Sequence, residues 1–277
     1  MRILIAIPVF NEQKYVTKVL DEVRRYADNI LVIDDGSTDE TPVLLARQPV
    51  EVIRHATNRG YGQSMIDAFR WSQCSSYNYD WLITMDCDEQ HVPASLPDFY
   101  KAIEQNEADV ISGSRYLGHH RCGDPPPTDR RAINAKITTM VNGKLGMQLT
   151  DTFCGFKAYR VSAVNKLKLD QQGYAFPLQF WVQAAAHDLR ISEIPIRLIY
   201  NDPNRSFGGP LNDADNRLKH YTEVFENELA NFPQKFGQLQ TACSCKGDDE
   251  AAGDASNTAD LTAHKTQAAK PGTSPKA

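Results

Sequence analysis

The stretch Asp80-Trp81-Leu82-Ile83-Thr84-Met85-Asp86-Cys87-Asp88-Glu89-Gln90-His91 runs from a short apolar segment straight into acidic and amide side chains. An apolar run of this length with polar flanks fits a buried strand better than a helix. The same phrase occurs twice upstream. Residues 2–9 (RILIAIPV) lead into Phe10-Asn11-Glu12, and residues 30–33 (ILVI) lead into Asp34-Asp35-Gly36-Ser37-Thr38. Between them Val16, Val19, Leu20, Val23 and Ala27 recur at helical spacing, which predicts an amphipathic helix over 15–27. A further helix is expected over 63–72, and strands over 50–54 and 109–112. This alternation predicts an α/β fold, a Rossmann-like, mainly parallel sheet flanked by helices on both faces. In such sheets ligands bind beyond the carboxyl ends of the strands. The polar clusters at 8–12, 34–38 and 86–90 should therefore share one rim. The cluster at 34–38 doubles as a turn, with Ser37 or Thr38 able to cap the next helix.

Residues 118–128 (GHHRCGDPPPT) contain three consecutive prolines and read as a loop, so His119 and His120 are expected in solvent rather than on a metal. Helices are expected over 129–146, 176–187 and 213–232, and a last strand over 191–200. No aromatic residue follows Phe236, and the remainder is dominated by Ala, Thr, Asp, Lys, Gly and Ser. Such a composition cannot bury enough apolar surface to offset the entropy of ordering. The expected organisation is one domain over 1–236 and a disordered tail over 237–277.

The formal net charge of -5 argues against nonspecific nucleic-acid binding, which needs a basic face. No apolar run reaches the roughly 18–20 residues of a membrane span. The apolar N-terminus is too short for a signal peptide and reads as the first core strand, which places the chain in the cytoplasm, at most peripheral to a membrane. The six cysteines form no paired Cys-x-x-Cys pattern, so a zinc site is not expected and free thiols are.

Asp86-x-Asp88, with the amide oxygen of Gln90, is a donor set for a hard divalent cation (Mg or Mn) whose remaining ligands a nucleotide diphosphate can supply. The competing reading is a solvated turn. Asp35 can accept hydrogen bonds from a base or ribose, as acidic residues after strands do in other nucleotide sites. Gly60-Tyr61-Gly62 begins like a dinucleotide fingerprint, but Met65 holds the third glycine position and the motif does not follow the first strand.

Taken in order, these pieces resemble the inverting family 2 glycosyltransferases of the GT-A fold, and most of all the dolichyl- or polyprenyl-phosphate mannosyltransferase group. The matching segments are 7–12, 32–41, 58–62, 85–91, 111–116, 151–157 and 191–196. The resemblance implies a nucleotide-sugar donor (GDP-mannose or UDP-glucose) held by Pro8, Phe10, Glu12 and Asp35. It implies a metal on Asp86, Asp88 and Gln90. It also implies contacts to an acceptor phosphate from Arg115 and from a second arginine, Arg130 or Arg131, with Arg131 preferred. The resemblance also extends to Arg205 and Gly208, which keep the spacing of a diphosphate-binding Arg-x-x-Gly-x-Ser-Lys motif whose Ser-Lys end is lost here. The membrane helices that follow the domain in many such proteins have no counterpart, so a lipid acceptor would be met at the membrane surface.

A hydroxyl acceptor must lose a proton and needs a carboxylate base. Hydroxyl-using members of the superfamily that the chain resembles often place a Glu-Asp pair in the second half; between Leu117 and Ser192 there is no glutamate, and Asp151 remains a rival base. A phosphate monoester is already largely ionised near neutral pH, its second pKa being about 6, and needs cations instead. The expected acceptor is therefore a polyprenyl phosphate. The alternatives are a saccharide or small-molecule hydroxyl, and a noncatalytic sugar-nucleotide-binding protein. A nucleotidyltransferase would need a Gly-rich, Lys-bearing loop where Pro8–Glu12 stands.

Overall fold

The computed structural model describes residues 1–74, 76, 78–88, 91–117, 128–197 and 209–237. They form a seven-stranded sheet. In chain order its strands are β1 (Ile3–Val9), β2 (Ile30–Asp34), β3 (Glu51–Arg54), β4 (Trp81–Thr84), β5 (Val110–Ser114), β6 (Lys157–Arg160) and β7 (Ile191–Pro195). Their spatial order is β3-β2-β1-β4-β6-β5-β7. All neighbours are parallel except β6, which runs antiparallel between β4 and β5. The expected mainly parallel sheet is thus present, with one insertion. Sequence reading missed β6 because Lys157 and Arg160 bound it and leave no apolar run.

The helices are α1 (Val16–Val23), α2 (Thr41–Leu45), α3 (Tyr61–Ser72), α4 (Leu96–Gln105), α5 (Thr128–Leu145), α6 (Val161–Val164), α7 (Phe176–Ala186) and α8 (Ala214–Ala230). Helix α4 was not anticipated, although Leu96, Phe99 and Ile103 carry its buried face at helical spacing. Helix α2 is not capped by Ser37 or Thr38. The Asp39 carboxylate accepts the Thr41 N–H at 2.9 Å instead.

Strand alternation splits the interior into two cores. Leu4 and Ala6 of β1 point to one side, with Phe69 of α3, Ile137 of α5, Trp181 of α7 and Phe225 of α8. Ile5, Ile7 and Val9 point to the other, with Leu20 of α1 and Phe99 of α4. A strand covered on both faces must be apolar throughout, which is why residues 3–9 and 30–33 read as near-continuous hydrophobic runs. Burying each such side chain contributes about 1.5–3 kcal/mol. Helix α8 begins at Asp213, whose side chain accepts the Asn216 N–H, and Phe236 beyond it packs into the first core.

The expected tail lies outside the described residues apart from Gly237, as do residues 198–200 of the last strand and the 118–127 part of the proline-rich loop, with His119 and His120. Among the described residues, Cys74, Cys87 and Cys154 are free thiols. No helix there is long and apolar enough to cross a membrane.

Candidate active site

The carboxyl ends of β1 and β2 are stitched into one ledge. Asn11, in the left-handed conformation, donates its backbone N–H to Ser37 Oγ at 2.9 Å. Its side-chain oxygen accepts the N–H groups of Thr38 and Asp39 at 2.8 and 3.3 Å. A Cβ on Gly36 would lie 2.4 Å from the Thr57 carbonyl carbon, so only glycine lets residues 57–58 pass beneath the ledge. Asp35 receives three donors there. The N–H groups of Arg59 and Gly60 lie at 2.8 Å each, and His55 Nδ1 at 2.6 Å. The far nitrogen of His55 is 3.0 Å from Asp67. A carboxylate has about four lone-pair sites, so Asp35 is held rigid while keeping capacity for a ligand.

Gly60-Tyr61-Gly62 also finds its explanation in packing. Cβ atoms on Gly60 and Gly62 would meet the carbonyl oxygens of Gln172 and Gln171 at 2.6 and 2.0 Å. The glycines permit close backbone approach between the start of α3 and residues 171–173.

Beyond β4 the chain delivers Asp86 and Asp88. Cys87 between them is buried, 1% exposed, and packs into the second core. The Asp86 N–H donates to His91 Nδ1 at 3.0 Å. The Asp86 carboxylate lies directly over Gly155, where a Cβ would sit 2.6 and 2.7 Å from its two oxygens. Thr84 Oγ1 donates to the Gly155 carbonyl at 2.7 Å and fixes this segment against β4.

The opposite wall is cationic. Arg115 follows β5, and its Nε and Nη2 donate to the two oxygens of Asp151 at 2.5 and 2.7 Å. Asp151 is fully buried and also accepts from Asn134 Nδ2 at 2.8 Å. Burial alone would push its carboxyl up, but the Arg115 guanidinium and these hydrogen bonds hold it down at about 2. Glu193 of β7 accepts the N–H groups of Thr150 and Asp151 at 2.8 and 3.2 Å, so the 191–196 motif positions the 151–157 motif.

These walls enclose one cavity of about 800 Å³. That size suits a small-molecule site. Its carboxylates are Glu12, Asp35, Asp86 and Asp88, on the loops after β1, β2 and β4. Its guanidinium groups are Arg115, Arg130 and Arg217, after β5 and on α5 and α8. Tyr116, Phe153, Tyr174 and Tyr221 add aromatic rings to the lining.

Pro8, Phe10, Glu12, Asp35, Asp86, Asp88 and Arg115, each expected from sequence, line this single cavity. Gln90 and Arg205 lie outside the described residues. Arg131 is corrected: it is exposed and absent from the lining, which takes Arg130 instead. Along a helix residues i, i+3 and i+4 share a face; both such neighbours of Arg130, Ile133 and Asn134, line the cavity, whereas Arg131 has Asn134 there but its i+4 neighbour Ala135 is exposed. Asp151 as rival base is also corrected, since it is buried behind Arg115 with its oxygens already accepting hydrogen bonds. Arg217, Tyr174 and Tyr221 were missed. A signal for Arg217 existed: a charged residue stands four positions before Tyr221 and eight before Phe225, on the buried stripe of α8. Among the described residues no cluster of three or more His, Cys, Asp or Glu could by itself hold a metal.

Comparison with known proteins places the chain in a family. The sequence model of the family described as "Glycosyl transferase family 2" matches residues 4–168. An undecaprenyl-phosphate mannosyltransferase of Micrococcus luteus is 31% identical over 226 residues, 77% of this chain and 91% of that protein. A polyprenol monophosphomannose synthase of Mycolicibacterium smegmatis is 28% identical, over 70% of this chain and 76% of that one. In three dimensions the chain resembles a glucosyl-3-phosphoglycerate synthase of Mycobacterium tuberculosis solved with Mn2+, UDP-glucose and phosphoglyceric acid. The TM-score is 0.58 at 16% identity, over 85% of this chain and 80% of that one, a likeness that speaks to the GT-A fold. The chain belongs to glycosyl transferase family 2 and is a glycosyltransferase.

Proposed function

We propose that the protein moves a hexose from a nucleotide-diphosphate sugar to the phosphate of a polyprenyl phosphate, with inversion at the anomeric carbon. The observation that carries this reading is the division of the cavity. Its carboxylates gather after β1, β2 and β4, and its guanidinium groups gather on the β5, α5 and α8 side. Among the described residues, Asp151, the carboxylate beside Arg115, is buried and ion-paired and is not available as a base. An acceptor on the cationic side must therefore arrive already ionised, as a phosphate monoester does. The names of the Micrococcus and Mycolicibacterium relatives support the same acceptor class.

In this reading Pro8, Phe10, Glu12 and Asp35 hold the nucleoside, and Arg205 contributes to the diphosphate. The donor set suits a divalent cation, since Mg2+ sites commonly use one or two carboxylates completed by substrate phosphates. Asp86 and Asp88, with Gln90, would hold that ion. When bound, it supplies positive charge for the leaving diphosphate. Asp86 is kept in place by Gly155 beneath it and His91 beside it. Arg115 spends part of its five-donor fork on Asp151, and this pairing leaves the rest for a ligand in the cavity. With Arg130 it orients the acceptor phosphate, whose oxygen forms the new bond to the anomeric carbon as the bond to the diphosphate breaks. The aromatic lining suits the first isoprenoid units, with the protein acting peripherally at a membrane surface.

The test combines a donor panel, including GDP-mannose and UDP-glucose with and without Mg2+ or Mn2+, with three acceptors: polyprenyl phosphate, polyprenol and a free saccharide. Metal-dependent transfer to polyprenyl phosphate alone is expected, and Asp88→Ala should abolish metal-dependent donor binding. Transfer only to hydroxyls, or donor binding without turnover on any acceptor, refutes the proposal.

A further inference from the structure

Helix α8 lies beyond residue 168, where the family match ends, yet it contributes Arg217 and Tyr221 to the cavity wall. Arg217 is only 3% exposed. Withdrawing a guanidinium from water costs several kcal/mol unless partners compensate. One partner is structural: Nη1 donates to the Leu211 carbonyl at 2.9 Å, anchoring the 3-10 turn Gly209–Asn212. Arg217 also borders the cavity, whose lining includes Arg115 and Arg130. Arg217 and Tyr221 are separated by one helical turn and share a face of α8. Burial pushes the Tyr221 hydroxyl up to about 12, while Arg217 and, more weakly, Arg130 draw it down. Both guanidinium groups therefore sit near this hydroxyl, which stays protonated at neutral pH and can donate a hydrogen bond. Phe153 backs the Tyr221 ring with centroids 4.9 Å apart, which holds it in position.

The placement separates this group from the donor end. Helix α8 packs on α5 and α7, and α5 carries Arg130. The carboxylates at the ends of β1, β2 and β4 lie on the other side. A cationic and hydroxyl-bearing wall of this kind matches a phosphate oxyanion, which guanidinium binds bidentately.

We propose that Arg217 and Tyr221 form, with Arg130, a phosphate-binding wall through which α8 selects the acceptor. This rests on the reading that the acceptor is a phosphate monoester. Arg217 is then a specificity-determining residue as well as the anchor of the 3-10 turn.

The experiment uses the full chain with Arg217→Gln, Arg217→Lys and Tyr221→Phe. It measures KM for donor and acceptor separately, donor affinity by calorimetry, and competition by inorganic phosphate. For Arg217→Gln the acceptor KM and the phosphate inhibition constant should both rise about 10- to 100-fold, the range for losing a charge-assisted hydrogen bond. Donor affinity should stay within about twofold. Arg217→Lys should recover part of the loss, because it keeps the charge but not the fork. Tyr221→Phe, which removes one hydroxyl and preserves packing, should raise the acceptor KM by a smaller factor. A rise in donor KM with acceptor KM unchanged would move Arg217 to the donor diphosphate and overturn the proposal. Unchanged phosphate competition in Arg217→Lys and Tyr221→Phe would overturn it even if Arg217→Gln failed to fold. If the wild type used only hydroxyl acceptors, the acceptor assignment would fall. Inorganic phosphate competition would then still decide whether Arg217 binds an oxyanion.

Discussion

Replacing Gly155 by alanine isolates the positioning of Asp86 from the stability of the fold. The added Cβ would lie 2.6 and 2.7 Å from the Asp86 oxygens and 3.0 Å from its Cγ. Carbon–oxygen contacts settle at about 3.3 Å or more, so the carboxylate must retreat by roughly 0.6–0.7 Å. A misplacement approaching 1 Å at a reacting centre costs about 10²-fold in rate. We expect kcat/KM to fall about 10- to 100-fold, equivalent to about 1.4–2.7 kcal/mol of transition-state stabilisation. The fold should suffer little. Gly155 is absent from the positive-φ residues, so alanine meets no backbone strain there. The group it displaces is the end of a side chain one-third exposed to solvent. Overpacking should cost about 1 kcal/mol, offset by roughly 0.4–1 kcal/mol from the stiffer unfolded chain. The assay is steady-state transfer at saturating acceptor, over a titration of Mn2+, beside a thermal melt of the same sample. Activity within threefold of wild type would refute the reasoning. So would a collapse of the melting transition that tracked the lost activity, since the defect would then belong to the fold.

Two further outcomes follow from the buried network. Asp151 has its folded pKa depressed to about 2, so its contribution is present above its unfolded value near 3.9 and fades as pH falls through 2. Denaturant unfolding from pH 5 down to 2 should show about 2–3 kcal/mol lost from this group, a component missing from Asp151→Asn; parallel profiles would exclude the pairing as its source. His55→Ala removes one of the three donors that hold Asp35 and should raise the donor KM by about tenfold, the scale of one hydrogen bond to a charged group, with kcat at saturating donor nearly preserved. A donor KM unchanged within twofold would show that Asp35 needs no clamp.

In the proposed reaction, the cavity's division of charge lets an acidic chain bind phosphates. The net charge of -5 belongs to the whole surface, whereas the three guanidinium groups converge within one concave wall. Clefts focus their own field, so local composition outweighs the total.

The sequence by itself was sufficient for the strand phrases of β1, β2 and β4, because a strand buried on both faces must be apolar along its length and its polar exit marks the ligand rim. That logic placed the clusters 8–12, 34–38 and 86–90 on one rim before any coordinates, and the family resemblance singled out Pro8, Phe10 and Glu12 within them. Other features depended on which segments meet across the chain. Strand β6 has no apolar run and is a strand only because β4 and β5 accept it between them. Arg130 replaced Arg131 because the phase of α5 against the cavity is set by packing, and two adjacent residues on a helix differ by about 100° of rotation. Asp151 lost its reading as a base because Arg115 and Asn134 close over it. Arg217, nearly fifty residues beyond the family match, entered the site because α8 folds back onto α5 and α7. Periodicity reports a residue's face on its own element, but only tertiary packing decides what that face meets.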